Sequence, residues 1–349
     1  MWSGGRQLGA EVLTKLIIVD VAELTPVNAE FINLQELDGQ QVLWRRHSGL
    51  PENLFEHAVK RPRVSRYRAA YLAARDSRGA DTVISHLPRM TSAVAELTYL
   101  AGKRIPHLAF SFNFTLLPGN LQRARMKKAF ARVDQFCVYT DFEKDVYADA
   151  FDIDPTKIKS VSWAQDTPII AKGSMPQLAA PYVVAIGGEG RDFSTLVAVA
   201  QRLHTTHFVV IARPTAALAR APANMTVLYN VPGPVCWQIA SSADAVLVPL
   251  TGPETCCGHI TLVSARLLAI PIVTTASRGT SQYTDGFAGT TVVPHADADA
   301  FAGAIEALRE NLGTAKILAA ADQRLAKALY DRSVWCDYVT SFLRSKIFK

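Results

Sequence analysis

The sequence lacks any uninterrupted apolar run of the roughly 20 residues that a helix needs to cross a bilayer. Residues 1–13 carry two charges and several glycines, without the apolar stretch of a secretory signal peptide. The first absence excludes a membrane-spanning helix, and the second argues against secretion. We therefore expect the chain to reside in the cytoplasm.

Cysteine is scarce, with five residues in 349, and their number is odd. They stand at positions 137, 236, 256, 257 and 336, none in a CxxC pair and none with a histidine at zinc-finger spacing. The sequence therefore predicts free thiols and no metal site. A Gly-x-Ser-x-Gly elbow is also missing, so scattered serine, histidine and aspartate residues do not indicate a hydrolase triad.

The net charge of +6 at pH 7 is modest, but two basic clusters lie in the first half of the chain. The first cluster consists of Lys60, Arg61, Arg63, Arg66 and Arg68. The second cluster consists of Arg123, Arg125, Lys127, Lys128 and Arg132. Such clusters usually form a solvated helix face, but they also suit anionic lipid headgroups or a phosphate-bearing acceptor. No nucleic-acid-binding motif accompanies them, so we expect no nucleic-acid partner.

The length suggests two domains, since single hydrophobic cores rarely grow beyond about 250–300 residues. Short β-rich runs alternate with helical stretches, one of them over residues 54–76, and the pattern restarts after a loose stretch at residues 167–181. This alternation indicates mainly parallel, doubly wound sheets. We expect an α/β chain with one Rossmann-like domain at residues 1–175 and another at residues 176–330.

The candidate site residues follow the predicted strands, because open parallel sheets bind ligands beyond the carboxyl ends of their strands. In the second domain the first such loop is residues 187–192. Gly187 and Gly188 would let the backbone approach a ligand, and Arg191 supplies a permanent cation suited to a diphosphate. An ordinary strand-to-helix turn, with Asp192 as the helix cap, is the alternative.

A second loop, residues 249–262, leads from a strand into an amphipathic helix. Gly258, His259 and Thr261 would lie at the start of this helix, where free N–H groups and the helix dipole favour an anion such as a pyrophosphate. His259 could add a hydrogen bond or a charge. In the alternative interpretation, Thr261 and Glu254 merely cap the helix.

Two loops of the first domain are expected to face the second domain across a cleft. His86 follows one predicted strand and is a catalytic candidate, although a lone histidine is more often structural. Ser111, Asn113 and Thr115 follow the next strand, and we expect Ser111 and Asn113 on the acceptor side.

Several segments of the second half, in order and spacing, resemble the C-terminal domain of the group 1 glycosyltransferases. They are residues 190–196, 248–250, 257–262, 269–275, 283–286 and 292–294. The resemblance covers roughly residues 181–311, and the first half agrees with that family only in outline. It implies the GT-B fold, in which two Rossmann-like domains face each other across a cleft. The last helix commonly crosses back in this fold, so we expect residues 331–349 to pack on the first domain.

The resemblance also implies roles for individual residues. The second domain would hold a nucleoside diphosphate-sugar through Gly187, Gly188, Arg191 and the helix start at residues 258–261, with no metal or other cofactor. The family has two glutamates separated by seven residues, and here those positions hold Cys256 and Ser264, with Glu254 two residues early. Ser264 is then the expected ribose contact, and Glu254 joins His86 and Arg191 as a catalytic candidate.

The leading hypothesis is transfer of a sugar to a lipid-linked or polysaccharide acceptor at the inner face of the membrane. Retention of the anomeric configuration follows only by analogy with the family. One alternative is a sugar-nucleotide epimerase, which would need acid–base carboxylates deep in the cleft. Another is a catalytically silent GT-B subunit, an alternative that the missing glutamates support.

Overall fold

The structure, a computed structural model, describes residues 15–24, 32–59, 63–102, 104–173, 175–214, 218 and 220–348. Within these ranges the chain forms two β-sheets, each covered by helices on both faces. The described helices include none that is both long and apolar enough to cross a membrane.

The first sheet has seven strands in the order β2-β3-β1-β4-β5-β6-β7. The strands are β1 (Lys15–Ala22), β2 (Glu36–Leu37), β3 (Gln40–Ser48), β4 (Thr82–His86), β5 (His107–Phe110), β6 (Gln135–Val138) and β7 (Ile158–Ser160). All neighbours are parallel except β2 and β3, which form a hairpin. Asp38 and Gly39 make its two-residue turn with φ values of 50° and 78°, the positive φ that a type I′ turn requires.

In the described part of the chain, five helices lie between the strands of the first sheet. They are α1 (Leu54–Ala58), α2 (Val64–Asp76), α3 (Pro88–Leu100), α4 (Asn120–Phe130) and α5 (Asp141–Phe151). The single helix expected over residues 54–76 is wrong, because the backbone turns extended at Val59 and helix resumes only at Val64. The sequence accounts for the break, since Pro62 cannot continue a helix. Lys60 and Arg61 of the first basic cluster lie outside the described residues.

The second sheet has six parallel strands in the order β10-β9-β8-β11-β12-β13. Its strands are β8 (Tyr182–Ile186), β9 (His207–Ala212), β10 (Met225–Tyr229), β11 (Val246–Val248), β12 (Ile272–Thr275) and β13 (Thr290–Val293). Its helices are α6 (Phe193–Arg202), α7 (Gly233–Ser241), α8 (His259–Leu267), α9 (Ala298–Glu310) and α10 (Leu312–Leu329). Successive residues of β8 enter opposite cores, Val183 with α6 and α9 and Val184 with α7 and α8. A strand covered on both faces reads as a continuous apolar run for this reason.

The last helix, α11 (Ser333–Ile347), packs on the first sheet. Its buried residues Trp335, Val339, Phe342 and Leu343 join a core with residues of β1, β4 and β5. The preceding helix, α10, instead packs on α8 of the second sheet through Ala326. The chain therefore returns to the first sheet at its end, while the domain limits at residues 175 and 330 stay predictions.

Hydrogen bonds join the two halves where their sheets face each other. The Tyr283 hydroxyl donates to the Tyr139 carbonyl oxygen at 2.9 Å and accepts from the Trp163 N–H at 2.7 Å. Asn113 Nδ2 donates to the Cys256 carbonyl oxygen at 3.1 Å, and it also binds Glu143. Glu143 therefore binds the same amide group of Asn113 that contacts Cys256 of the other half.

Glu143 is a fully buried carboxyl at the start of α5. Thr140 Oγ1 accepts from the Glu143 N–H at 3.2 Å, as in a capping box, and Glu143 Oε2 accepts from the Tyr139 N–H at 3.0 Å. Its other oxygen accepts from the Tyr147 hydroxyl at 3.0 Å. Burial outweighs these hydrogen bonds and raises the pKa of Glu143 to about 7.

We predict that the free energy of unfolding falls as the pH rises from about 5 to about 8, and falls less in Glu143→Gln. The unfolded chain releases this proton near the ordinary pKa of 4.5, whereas the folded protein holds it until about pH 7. The free energy of unfolding therefore falls between these two pKa values, by on the order of 3 kcal/mol at about 1.4 kcal/mol per pKa unit. Urea denaturation of both proteins at the two pH values measures the difference, and equal losses would contradict the prediction.

Candidate functional site

A cleft of about 480 Å³ opens between the two sheets and is lined by residues from both. The loops that follow β1, β4 and β5 supply one wall. The loops that follow β8 and β11 supply the other, together with the first turn of α8. The cleft thus lies at the carboxyl ends of both sets of parallel strands, where ligands of such sheets bind.

Arg191 is the cation of this cleft, and it is 8% exposed. Its guanidinium donates to the Ile186 carbonyl oxygen at 3.1 Å, to the Glu189 carbonyl oxygen at 3.3 Å and to Thr261 Oγ1 at 3.0 Å. No carboxylate pairs with it within the part of the chain that the structure describes. Burial lowers the pKa of Arg191 to about 10, so the side chain remains charged at neutral pH.

The start of α8 borders the same cleft. Gly258, His259, Ile260 and Thr261 line the wall, and no side chain caps the helix. By contrast, α5, α6 and α9 are capped by Thr140, Asp192 and Asp297 respectively. The first N–H groups of a helix have no acceptor within it, so α8 presents uncapped donors beside the guanidinium. Thr261 and Glu254 therefore do not serve as caps.

His259 is neutral in this setting. Its Nε2 donates to the Gly279 carbonyl oxygen at 3.0 Å, which leaves Nδ1 as the unprotonated nitrogen. Burial lowers the pKa of His259 to about 4. We expected a hydrogen bond or a charge from His259, and the charge is therefore absent at neutral pH.

His86 lines the cleft but does not offer it a ring nitrogen. Its Nε2 lies 2.7 Å from Asp20 Oδ1, its Nδ1 is buried, and its ring packs edge-on against Phe110. A general base needs an accessible nitrogen, whereas Nε2 of His86 lies against Asp20 and Nδ1 is buried, so the catalytic role of His86 stays a prediction that this geometry does not favour. The sequence placed the residue at the right strand end but could not show the direction of its ring.

Three further expected residues lie away from the cleft wall. The Glu254 side chain is 61% exposed and pairs with Arg278 at 3.1 Å. Ser264 is fully buried, and its hydroxyl accepts from Gln165 Nε2 at 2.8 Å. Gly188 neighbours the Arg213 side chain, whereas Gly187 does line the cleft. Ser264 fails as a ribose contact in this structure because its part of α8 faces protein.

Ser111 and Asn113 do reach the cleft from the first sheet, together with Thr115. Ser111 Oγ accepts from the Tyr139 hydroxyl at 2.5 Å, and Asn113 makes the contact with Cys256 described above. Asn113 is thus tied to the opposite wall, whereas Ser111 is held by Tyr139 of its own half, and contact of the two residues with an acceptor stays a prediction.

Sequence reasoning missed Glu23 as a cleft residue. Glu23 lines the first-sheet wall and pairs with Arg66 and, at 3.4 Å, with Arg63. Arg68 of the same basic cluster pairs with Glu56 at 2.8 Å and with Glu52 at 2.9 Å. The described arginines of this cluster therefore pair with nearby carboxylates and do not form a surface patch that is left to bind an anionic ligand. The link between residues 23 and 66 spans too much sequence for a local pattern to show it.

Three of the solved structures that share the fold match almost the whole chain. HepE of Anabaena, in complex with UDP-glucose, superposes with a TM-score of 0.71 and 13% identity, covering 95% of this chain and 100% of its own. A glycosyltransferase from Rickettsia africae ESF-5 gives 0.67 and 12%, covering 96% and 99%. Sucrose-phosphate synthase from Thermosynechococcus elongatus gives 0.64 and 11%, covering 95% and 98%. No protein-family model matches the chain, and comparison with curated proteins finds no relative.

Identities of 11–13% carry the fold and not the activity. The likeness to HepE covers 95% of this chain, and the cleft lies between the two halves. The fold class expected from the sequence is thereby confirmed: the chain has the GT-B fold, with two Rossmann-like domains facing each other across a cleft.

Proposed function

We propose that the protein is a glycosyltransferase that takes a sugar from a nucleoside diphosphate-sugar. One observation carries this proposal: a buried guanidinium, with no carboxylate partner among the described residues, lies beside an uncapped helix start in the cleft. A buried charge is costly unless something compensates it. A diphosphate would compensate the charge of Arg191, and its oxygens would also accept hydrogen bonds from the N–H groups of α8.

The same arrangement supports the chemistry of transfer. When the bond between sugar and diphosphate breaks, negative charge grows on the diphosphate oxygen that leaves. Arg191 and the start of α8 are fixed donors at that place, and such preorganised donors stabilise the transition state. In this proposal they replace the metal ion that other transferases use. Among the described residues, no group of three or more histidine, cysteine or acidic side chains is placed to hold a metal ion.

A UDP-sugar is the first donor to test. HepE, on the same fold, holds UDP-glucose, and a second structure of it holds UDP and glucose. In our proposal the donor lies against Gly187, Gly258 and Thr261 on the second domain. The acceptor enters along the first domain, where Glu23 and Asn113 can receive its hydroxyl groups. Retention of configuration remains a prediction from the family resemblance.

A lipid-linked acceptor is favoured by an apolar tip beside the cleft. Thr115 lines the cleft, and the leucines that follow it, Leu116 and Leu121, are 84% and 91% exposed. Leu121 and Lys128 fall on one face of α4 by helical spacing, together with Arg125, which pairs with Glu96. Exposed leucines beside cations suit an anionic membrane surface, so we propose that this tip docks at the inner face of the membrane.

A catalytically silent nucleotide-binding subunit is the second candidate. Cys256 occupies the place where the family has a glutamate that contacts the sugar, and Ser264 is buried away from the cleft. An epimerase has less support, because the only acidic side chains on the described cleft wall, Glu23 and Glu189, both pair with arginines.

Turnover separates these candidates. Purified protein is incubated with radiolabelled UDP-glucose, UDP-galactose, GDP-mannose or a dTDP-sugar in the presence of membrane extract, and products are separated by extraction and chromatography. A labelled lipid or glycan product supports transfer. Donor binding without any product supports the silent subunit, and a changed nucleotide-sugar without acceptor supports an epimerase.

We predict that Arg191→Met weakens binding of the nucleoside diphosphate by about 1.5–3 kcal/mol, roughly 10- to 150-fold in dissociation constant. The variant keeps the aliphatic length but removes the charge that pairs with the diphosphate. Titration calorimetry with UDP, GDP and dTDP measures the change. Arg278→Met is the matched control, because Arg278 lies outside the cleft and pairs with Glu254. Equal affinity of the Arg191 variant and the wild type would remove Arg191 from the site.

We also predict that the double variant Leu116→Ser/Leu121→Ser binds anionic vesicles at least about tenfold more weakly, since each buried leucine contributes about 1.5–3 kcal/mol. Sedimentation with vesicles of phosphatidylglycerol and phosphatidylcholine measures binding. Ile317→Ser/Leu325→Ser, two exposed positions on α10, is the control. A similar loss in both double variants, or none in either, would contradict membrane docking by the tip.

A further inference from the structure

A second cavity, of about 310 Å³, lies in the first domain away from the cleft. Its walls come from the first residues of β4 and β5, the second half of α3 and Arg132 just before β6. The cavity therefore opens at the amino ends of the strands, whereas the cleft opens at their carboxyl ends. A donor in the cleft cannot occupy it.

The inner wall of this cavity is apolar, with Val83, Ala95 and Ile105 all buried. One polar atom interrupts it. Thr98 is 8% exposed, and its Oγ1 has no hydrogen-bond partner in the described chain. A buried hydroxyl without a partner costs free energy, so this atom favours an occupant that can bond to it.

Arg132 stands at the rim as a cation without an acidic partner. Its guanidinium lies 3.6 Å from the centre of the Tyr99 ring, a stacked position that holds the side chain in place. No carboxylate of the described residues pairs with it. The second rim arginine, Arg104, differs, because Asp134 lies 3.4 Å from its guanidinium. Of the two rim arginines that the structure describes, Arg132 is therefore the one without an acidic partner.

His107, at the start of β5, adds no charge to this cavity. Thr91 Oγ1 donates to the Leu87 carbonyl oxygen, and Ser85 Oγ donates to Thr91 Oγ1, so Ser85 accepts from His107 Nε2 at 2.7 Å. Burial lowers the pKa of His107 to about 4, so the imidazole is neutral. Among the described residues of the cavity, Arg132 is thus the cation that no carboxylate neutralises.

We propose that this cavity is a second binding site, for a small organic carboxylate with a ring-sized apolar body. The body would fill the space against Val83, Ala95 and Ile105, and the carboxylate would pair with the planar guanidinium of Arg132. Thr98 Oγ1 would bond to a polar atom of the ligand. The volume suits a single-ring molecule, since small-molecule sites begin at about 300 Å³.

Benzoate is the probe, and benzamide is its neutral counterpart of the same shape. The full chain, labelled at isoleucine methyl groups, is titrated with each compound, and the Ile105 signal is identified with Ile105→Val. We expect benzoate to shift this signal saturably, with a dissociation constant on the order of 1 mM for a ligand of this size. Benzamide is expected to bind about tenfold more weakly, because it lacks the charge that pairs with Arg132.

Two arginine variants complete the test. Arg132→Met should weaken benzoate binding about tenfold and bring it level with benzamide, whereas Arg104→Met should change it less than about twofold. The proposal is overturned if Ile105 shows no saturable shift up to about 20 mM benzoate, or if benzamide binds equally well. It is also overturned if the Arg104 variant loses as much affinity as the Arg132 variant. The comparison of benzoate with benzamide uses the wild-type protein, so its result does not depend on whether a variant folds.

Discussion

The cleft depends on a buried guanidinium that no carboxylate of the described chain neutralises. Arg191 is held by the carbonyl oxygens of Ile186 and Glu189 and by the Thr261 hydroxyl, which fix its position without neutralising its charge. Because these acceptors are uncharged, the buried charge stays uncompensated, and an anion beside it would be stabilised. The uncapped start of α8 adds a second set of donors at the same place.

The glycines around Arg191 follow from this arrangement. A Cβ atom at Gly187 would come within 2.8 Å of the Arg191 guanidinium, and the φ of 120° at this residue disfavours other side chains. At Gly258, where φ is 107°, a Cβ atom would meet Val248 at 3.3 Å and Arg191 at 3.5 Å. Both positions therefore keep the backbone close to the guanidinium, and an anion can approach Arg191 and the helix start together.

The fold was predictable because each buried strand leaves a local pattern. Residues 182–186 form a continuous apolar run and are β8, and the glycine-rich turn after them leads into α6 with Asp192 as its cap. The position of Arg191, Gly258 and Thr261 followed from the rule that ligands bind at strand ends. Side-chain direction did not follow: His86 places Nε2 against Asp20 and buries Nδ1, and Ser264 accepts from Gln165.

Pairings between residues distant in the sequence also could not be predicted from it. The basic cluster at residues 60–68 looked like an open patch, but its described arginines pair with Glu23, Glu52 and Glu56. Glu143 gives no signal beyond a capping box, yet the fold buries it behind the contact between Asn113 and Cys256. Such pairings arise only in the assembled fold, and the contact between Asn113 and Cys256, 143 residues apart, needs both halves of the chain.

A crystal structure of the protein with a bound nucleoside diphosphate tests the central claim most directly. The account predicts diphosphate oxygens within hydrogen-bond distance of the Arg191 guanidinium and of the N–H groups at residues 259–261. A nucleotide bound elsewhere in the cleft, with Arg191 and the helix start left without contact to the diphosphate, would contradict it.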